Sequence, residues 1–251
     1  MKKTLGCIRR ADDTFSLIQP GDRIAVGLSG GKDSLTLLYA LSLYRKFSHK
    51  DYELGAITLH PGLDGFDPAP LHRFCEALEI PYHVMDTHLL EIVLEKGVEG
   101  RSPCSLCARL RRGALNNAAR EFGYNKVALG HHRDDVMQTF LLSLFYEGRL
   151  NIFSPKTYLS RSGLTVIRPM VYLPEKHIKG VVKRYQLPVV PSVCPYDGAT
   201  ARQDMADLIR DLNHRIPNAA DMIFAALSNI DGYNLWQKEE SSKGEPPSVT
   251  E

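Results

Sequence analysis

The sequence predicts an α/β fold: an open, mostly parallel sheet with helices on both faces and a small helical extension at the C-terminal end. Three observations predict it. Short apolar runs of five to eight residues recur, each ending near glycine or a polar residue, as buried parallel strands do. Longer helical patterns separate them, which is the rhythm of strand–helix–strand units. Two of the runs lead directly into loops dense in glycine and polar side chains, the position from which such sheets bind ligands.

The elements follow in order. "RIAVGLS" (Arg23 to Ser29) reads as the first strand, and the leucine-rich "SLTLLYALSLYRKF" after it as a helix. "YELGAITL" (Tyr52 to Leu59) is the second strand, "PLHRFCEALEI" a helix, and "YHVMD" (Tyr82 to Asp86) the third strand. "SLCARLRRGALNNAAREFG" is helical and ends at Gly123, where a glycine C-cap is expected. "KVALG" (Lys126 to Gly130) is the fourth strand. "DDVMQTFLLSLFYEG" places Val136, Phe140, Leu144 and Phe145 on one helical face. Beyond Gly148 comes a basic segment with turns, then helices near residues 174–186, 201–213 and 219–230. The division expected is an N-terminal extension over 1–20, one domain over 21–235, and a disordered polar tail over 236–251.

With 43% hydrophobic and 24% charged residues in 251, the chain suits a globular protein with a substantial core. No apolar run approaches the length of a membrane span, so no membrane association is expected. The N-terminus "MKKTLGCIRRADDTF" lacks the apolar core of a signal peptide, so the cytoplasm is the expected compartment. The net charge is only +2, but its distribution is uneven. Gly100 to Arg120 holds five arginines (101, 109, 111, 112 and 120) and no acid. Gly148 to Pro174 holds four basic residues and no acid, and Lys176 to Tyr196 another four. Acid-free basic runs flanking the chemical motifs point to a polyanionic partner such as nucleic acid.

The stretch "GLSGGKDS", Gly27 to Ser34, carries the first chemistry. A Walker A loop needs a glycine five residues before the Gly-Lys pair and Ser or Thr after the lysine. Here Val26 and Asp33 stand at those positions, and the Rossmann glycine pattern fails as well. What remains is Ser29-Gly30-Gly31-Lys32-Asp33-Ser34 at a strand-to-helix junction. Its glycines allow close backbone approach to an anion, its serines and lysine donate to phosphate, and the helix offers its positive end. Asp33 among these donors makes sense if Mg²⁺ accompanies the phosphates. This resembles the PP-loop signature of the N-type ATP pyrophosphatase superfamily. The resemblance implies a loop that grips the β,γ-phosphates of ATP and a reaction that transfers AMP to a carbonyl-type oxygen.

Five cysteines, at 7, 75, 104, 107 and 194, are too few and too scattered for a disulfide framework. Cys7 and Cys75 read as structural. Cys104 and Cys107 form C-x-x-C, and Cys194, in the proline-rich "PSVCPYDG", supplies a third thiolate. Three thiolates fit an iron–sulfur cluster with one open iron; a Cys₃His zinc site using His131 or His132 is the alternative. "LGHHRDD" sets Gly130, two histidines, Asp134 and Asp135 at a strand end beside the glycine loop. The aspartates there suit Mg²⁺, ribose or phosphate contacts, although acids at a helix start also serve its dipole.

Together "LSGGKDS", "PCSLCARLRRGAL", "LGHHRDD", "TFLLSLFYEGRL" and "VIRPMVYLPEK" resemble the tRNA 2-thiocytidine synthetase branch of the PP-loop superfamily, from about Gly21 to Ile230. The resemblance implies the fold of the adenine nucleotide alpha hydrolases, ATP, Mg²⁺, a 4Fe-4S cluster on Cys104, Cys107 and Cys194, and tRNA as substrate. It implies sulfur installed at C2 of a cytidine in the anticodon loop, with a sulfur donor (a cysteine desulfurase or sulfide) and a homodimer as further expectations. On this reading Ser29, Gly30, Gly31, Lys32, Asp33, Ser34, Gly130 and Asp135 hold the nucleotide. Asp33, Asp135 and Arg111 carry catalysis, and Arg112 stands beside Arg111 for charge stabilisation or tRNA positioning. Two departures stand out: "CPYDGATARQ" replaces the usual Cys-Gly-Ser-Gln, and only Pro155-Lys156 matches the usual Pro-Pro-Lys. Three other functions remain compatible: a 2-thiouridine-forming enzyme, a lysidine-synthetase-like ligase, and a nucleotide-binding redox sensor that does not modify RNA.

Overall fold

The computed structural model describes residues 1–60, 62, 65–87, 89, 92–93, 104–194 and 200–229. The sequence-predicted tail, Arg101 and the residues following Cys194 up to 199 lie outside them. Four strands come from the predicted apolar runs: β1 (Arg23–Gly27), β2 (Glu53–His60), β3 (Tyr82–Asp86) and β4 (Lys126–Ala128). Two more, β5 (Lys156–Leu159) and β6 (Leu164–Ile167), form a hairpin in the segment expected to hold only turns. The sheet order is β3-β2-β1-β4-β6-β5; all neighbours are parallel except β5, which runs against β6 at the edge.

The helices are α1 (Lys2–Phe15), α2 (Lys32–Tyr44), α3 (Ala69–Ala77), α4 (Cys104–Glu121), α5 (Arg133–Leu142), α6 (Glu175–Tyr185), α7 (Ala201–Arg215) and α8 (Ala219–Ala226). Along each strand the side chains alternate between two cores. Ile24, Val26, Leu54, Ala56 and Ile167 face the larger one, with α1, α2, α3 and α6; Cys75 is fully buried there. Ala25, Ile57, Val127 and Val166 face the other, closed by Leu115, Ala118 and Ala119 of α4. Close fit explains two glycines: a Cβ on Gly55 would lie 1.8 Å from the Tyr124 hydroxyl, and Gly123 (φ +74°) ends α4 in a conformation that disfavours other residues.

Residues 1–20, expected as an extension, contribute Ile8, Ala11, Leu17 and Ile18 to the larger core. Buried Asp12 fastens them, accepting from the Ile18 amide (2.9 Å), the Tyr44 hydroxyl (2.8 Å) and the Lys50 ammonium (2.6 Å). At the opposite edge from the glycine loop, Lys126 pairs with Asp22 at 2.6 Å, both buried, and donates to the Leu17 carbonyl.

Helix α5 does not cover the sheet. Its Met137 and Leu141 pack with Met205 and Ile209 of α7 and with α8 in a third core, while Val136 of α5 and Phe224 of α8 join the larger one. The predicted apolar face of this segment needs one correction. Val136 is buried and Phe140 and Leu144 are partly buried, but Phe145 is 58% exposed. The helix continues as a π turn over Ser143–Glu147, and the wider turn rotates Phe145 away from the face that 3.6-residue spacing assigns it.

Candidate active site

Helices that follow parallel strands begin at the strands' carboxyl edge, so β1, β4 and β6 present their following residues along one crest. β1 presents the glycine loop. Gly30 takes φ +82°, and a Cβ there would stand 3.1 Å from the Val190 side chain; Gly31 caps α2. The Ser34 hydroxyl closes the loop, donating to the Gly31 carbonyl (3.0 Å) while accepting from the Ser29 amide (3.1 Å). The two serine hydroxyls also stand 3.1 Å apart. The segment after α6 passes over this loop, since the Val190 amide donates to the Gly30 carbonyl (3.0 Å).

Lys32 lies between two carboxylates, Asp33 at 2.9 Å and Glu175 at 3.2 Å. Burial alone would lower its pKa, but the two acids outweigh burial and raise it, keeping the ammonium charged. Glu175 also meets Lys179 at 2.9 Å, and its amide donates to Asp134 Oδ2 at 2.8 Å, tying the start of α6 to the start of α5. Burial opposes the charge on Glu175 too, yet its two lysine partners hold its pKa below the usual range.

β4 presents Gly130, His131 and His132. Gly130 presses against the start of α2: a Cβ there would stand 3.0 Å from the Asp33 carbonyl carbon and 3.1 Å from the Ser34 nitrogen. His132 is the hub. Its Nε2 lies 3.6 Å from Asp33 Oδ1 and 3.5 Å from Asp135 Oδ2, and its Nδ1 lies 3.5 Å from Asp134 Oδ2. Asp135 also accepts from the His132 amide at 2.9 Å, and Arg202 of α7 approaches it at 3.6 Å. Burial disfavours a charged His132, but the three aspartates outweigh it and its pKa rises. Its neighbour behaves oppositely. Burial, reinforced by Arg168, Arg202 and His132 against the pull of Asp135, pushes His131 down to about 4.

Asp33 Oδ1 is buried without a hydrogen-bond partner. A carboxylate oxygen left so beside a phosphate cradle fits a divalent cation, which supplies the missing partner. The thiols are placed differently. Cys104 and Cys107 stand one turn apart at the head of α4, and Arg111 Nη2 lies 3.9 Å from Cys107 Sγ. All three candidate cysteines are half-buried. Among the described residues, no three Cys, His, Asp or Glu side chains converge as a single metal ion requires. The thiolates of Cys104 and Cys107, with no acid in the first turn of α4, are the soft donors that an iron–sulfur cluster takes. Both nitrogens of His132 face carboxylates, so this ring is not offered to the thiols.

The structure therefore brings Ser29, Gly30, Gly31, Lys32, Asp33, Ser34, Gly130 and Asp135 to one place, and sets Arg111 against Cys107. Glu175, Arg202 and the central role of His132 were not anticipated; the sequence signal for Glu175 was its place in "VIRPMVYLPEK".

A parallel sheet bearing this glycine loop, with lysine and aspartate at its helix start, defines a PP-loop nucleotide-binding domain. Residues 7–191 match the family described as PP-loop domain. The tRNA-cytidine(32) 2-sulfurtransferase of Pelobacter propionicus is 39% identical over 234 residues, 92% of this chain and 87% of that protein. Its counterpart in Neisseria meningitidis serogroup C is 37% identical over 91% of this chain and 72% of that protein. The chain belongs to this family of PP-loop proteins, the curated tRNA-cytidine(32) 2-sulfurtransferases. Among solved structures, the U34-tRNA thiolase of Methanococcus maripaludis with its 4Fe-4S cluster shares the fold at TM-score 0.70 and 24% identity, over 91% of this chain and 79% of that one. An NH₃-dependent NAD synthetase from Campylobacter jejuni aligns at TM-score 0.50 and 16% identity, covering 94% and 98%.

Proposed function

We propose that this chain is an ATP-dependent tRNA sulfurtransferase that replaces the C2 oxygen of cytidine 32 with sulfur. The observation that carries the reading is the PP-loop and its acid–histidine hub, in a chain 39% identical to such an enzyme over nearly its whole length. Ser29, Gly30, Gly31, Lys32 and Ser34 hold the β,γ-phosphates of ATP, and Gly130 keeps the wall beside them thin. Asp33 and Asp135 would hold Mg²⁺, which neutralises charge on the departing pyrophosphate. The C2 oxygen attacks the α-phosphorus, and pyrophosphate leaves. Sulfur then attacks C2, and AMP departs carrying the former base oxygen.

Cys104, Cys107 and Cys194 would hold a 4Fe-4S cluster, which when bound supplies an iron open to exogenous sulfur. Arg111 stabilises negative charge beside Cys107. The sulfur originates from a donor such as a cysteine desulfurase or sulfide, and the active species is a homodimer. Among the described residues no helix is long and apolar enough to cross a membrane, and a reaction on tRNA supports a cytoplasmic location. The test is mass spectrometry of tRNA nucleosides from a strain lacking the gene. Loss of 2-thiocytidine, restored by the intact chain and not by a Lys32→Ala variant, is expected. Unchanged 2-thiocytidine with loss of 2-thiouridine or lysidine would reassign the substrate.

A further inference from the structure

Arg168 follows β6 directly, one strand beyond Gly130 and His131, with the Leu129 amide donating to the Ile167 carbonyl at 3.0 Å between them. Its guanidinium is fixed on two sides: Nη1 donates to the Ser154 carbonyl at 2.7 Å, and the plane lies 5.0 Å over the Phe153 ring. His131 packs against the same ring at 5.0 Å. Among the described residues Arg168 forms no ion pair, and its Nε is buried without a hydrogen-bond partner, as is His131 Nδ1. Burial, followed by the repulsion of the Arg112 cation on α4, lowers its pKa. A cation half out of water, immobilised, facing a second cation and no acid is uncompensated within the chain. An anion relieves both the desolvation and the repulsion, and a held guanidinium is the form that suits phosphate.

We propose that Arg168 and Arg112 form a subsite for a backbone phosphate of the RNA, beside the nucleotide to be modified. The assignment rests on the sulfurtransferase reading and adds the place where the polymer is held. Along the crest the order is glycine loop, aspartate hub, Arg168, so the subsite lies on the far side of the acids from the pyrophosphate cradle. Arg112 shares α4 with Arg111 and Cys107. A phosphate held here places its nucleoside between the ATP loop and the thiols, where both halves of the reaction reach one base. Arg109, Arg111 and Arg112 are all exposed on that helix, continuing the basic surface outward.

The test compares the intact protein with Arg112→Ala, Arg168→Lys and Arg168→Ala. It measures tRNA affinity against KCl concentration and, separately, ATP affinity without tRNA. Each alanine variant is expected to weaken tRNA binding about tenfold. Each should also flatten the log affinity–log salt slope by roughly one phosphate contact, about 0.7 to 0.9. ATP affinity should stay within about twofold, and Arg168→Lys should recover part of the tRNA affinity because charge remains while the fork is lost. Arg112 is solvent-exposed, so its removal tests the subsite even if Arg168→Ala folds poorly. An unchanged salt slope in Arg112→Ala, or in an Arg168→Ala protein that folds, overturns the proposal, as does lost ATP affinity with unchanged tRNA binding. Failure of the intact protein to bind tRNA at any salt overturns the sulfurtransferase reading itself.

Discussion

At the scale of single residues, the charges of the glycine loop and the aspartate hub are already partnered with one another. Glu175 and an incoming phosphate compete for the Lys32 ammonium, and Asp33 is left with one oxygen free for a cation. Replacing Glu175 with Gln removes the competitor. The KM for ATP is then expected to fall about two- to fivefold at low ionic strength, the range of a partly exposed ion pair, with the effect fading as salt rises. Steady-state pyrophosphate release measures it. The two histidines titrate in opposite senses. His131, depressed to about 4, is neutral in the folded chain while the unfolded chain binds a proton below about 6.5. It therefore supports the fold at neutral pH and loses that support as pH falls from about 6.5 to 4, a contribution of about 3 kcal/mol. His132, whose pKa is raised, contributes below about 6.5 and loses its contribution as pH climbs through the raised value. Urea midpoints of His131→Gln should fall less between pH 6.5 and 4 than those of the intact chain; equal slopes would show that His131 does not carry this acid sensitivity.

At the scale of elements, the glycine loop works only because β4 ends in a residue without a side chain. Gly130→Ala inserts a methyl 3.0 Å from the backbone of Asp33 and displaces the start of α2. ATP affinity is expected to drop about tenfold or more while the helical circular dichroism is retained. The elements that place the loop were legible in sequence because parallel strands announce themselves as apolar runs closed by glycine or a polar residue. β3 matches its predicted span, and β1, β2 and β4 differ from theirs by one or two residues. The β5–β6 hairpin was not legible: its strands are four residues each, interrupted by "SRSG" and lying in a basic run that reads as turns. The glycine loop and C-x-x-C are local patterns and were readable for that reason. Glu175 and Arg202 reach the site from elements far along the chain, and only tertiary packing reveals them. Phe145 was misplaced because a π turn carries no periodicity signal of its own.

At the scale of the whole molecule, the N-terminal helix is part of the domain it precedes. Asp12 binds the turn after α1, the end of α2 through Tyr44, and Lys50 before β2. Asp12→Ala leaves these donors without their shared acceptor and is expected to cost about 3 kcal/mol, read as a lowered denaturant midpoint with an unchanged slope. "MKKTLGCIRRADDTF" concealed this because its apolar residues are diluted by charge, although Leu5, Ile8 and Ala11 share one helical face.

Helix α5 belongs to two structures at once. Its first turn supplies Asp134 and Asp135 to the crest, while its later residues are held by Met205 and Ile209 away from the sheet. The acids at its head are therefore held from two directions, by Val136 in the core on the sheet and by Met137 and Leu141 against α7.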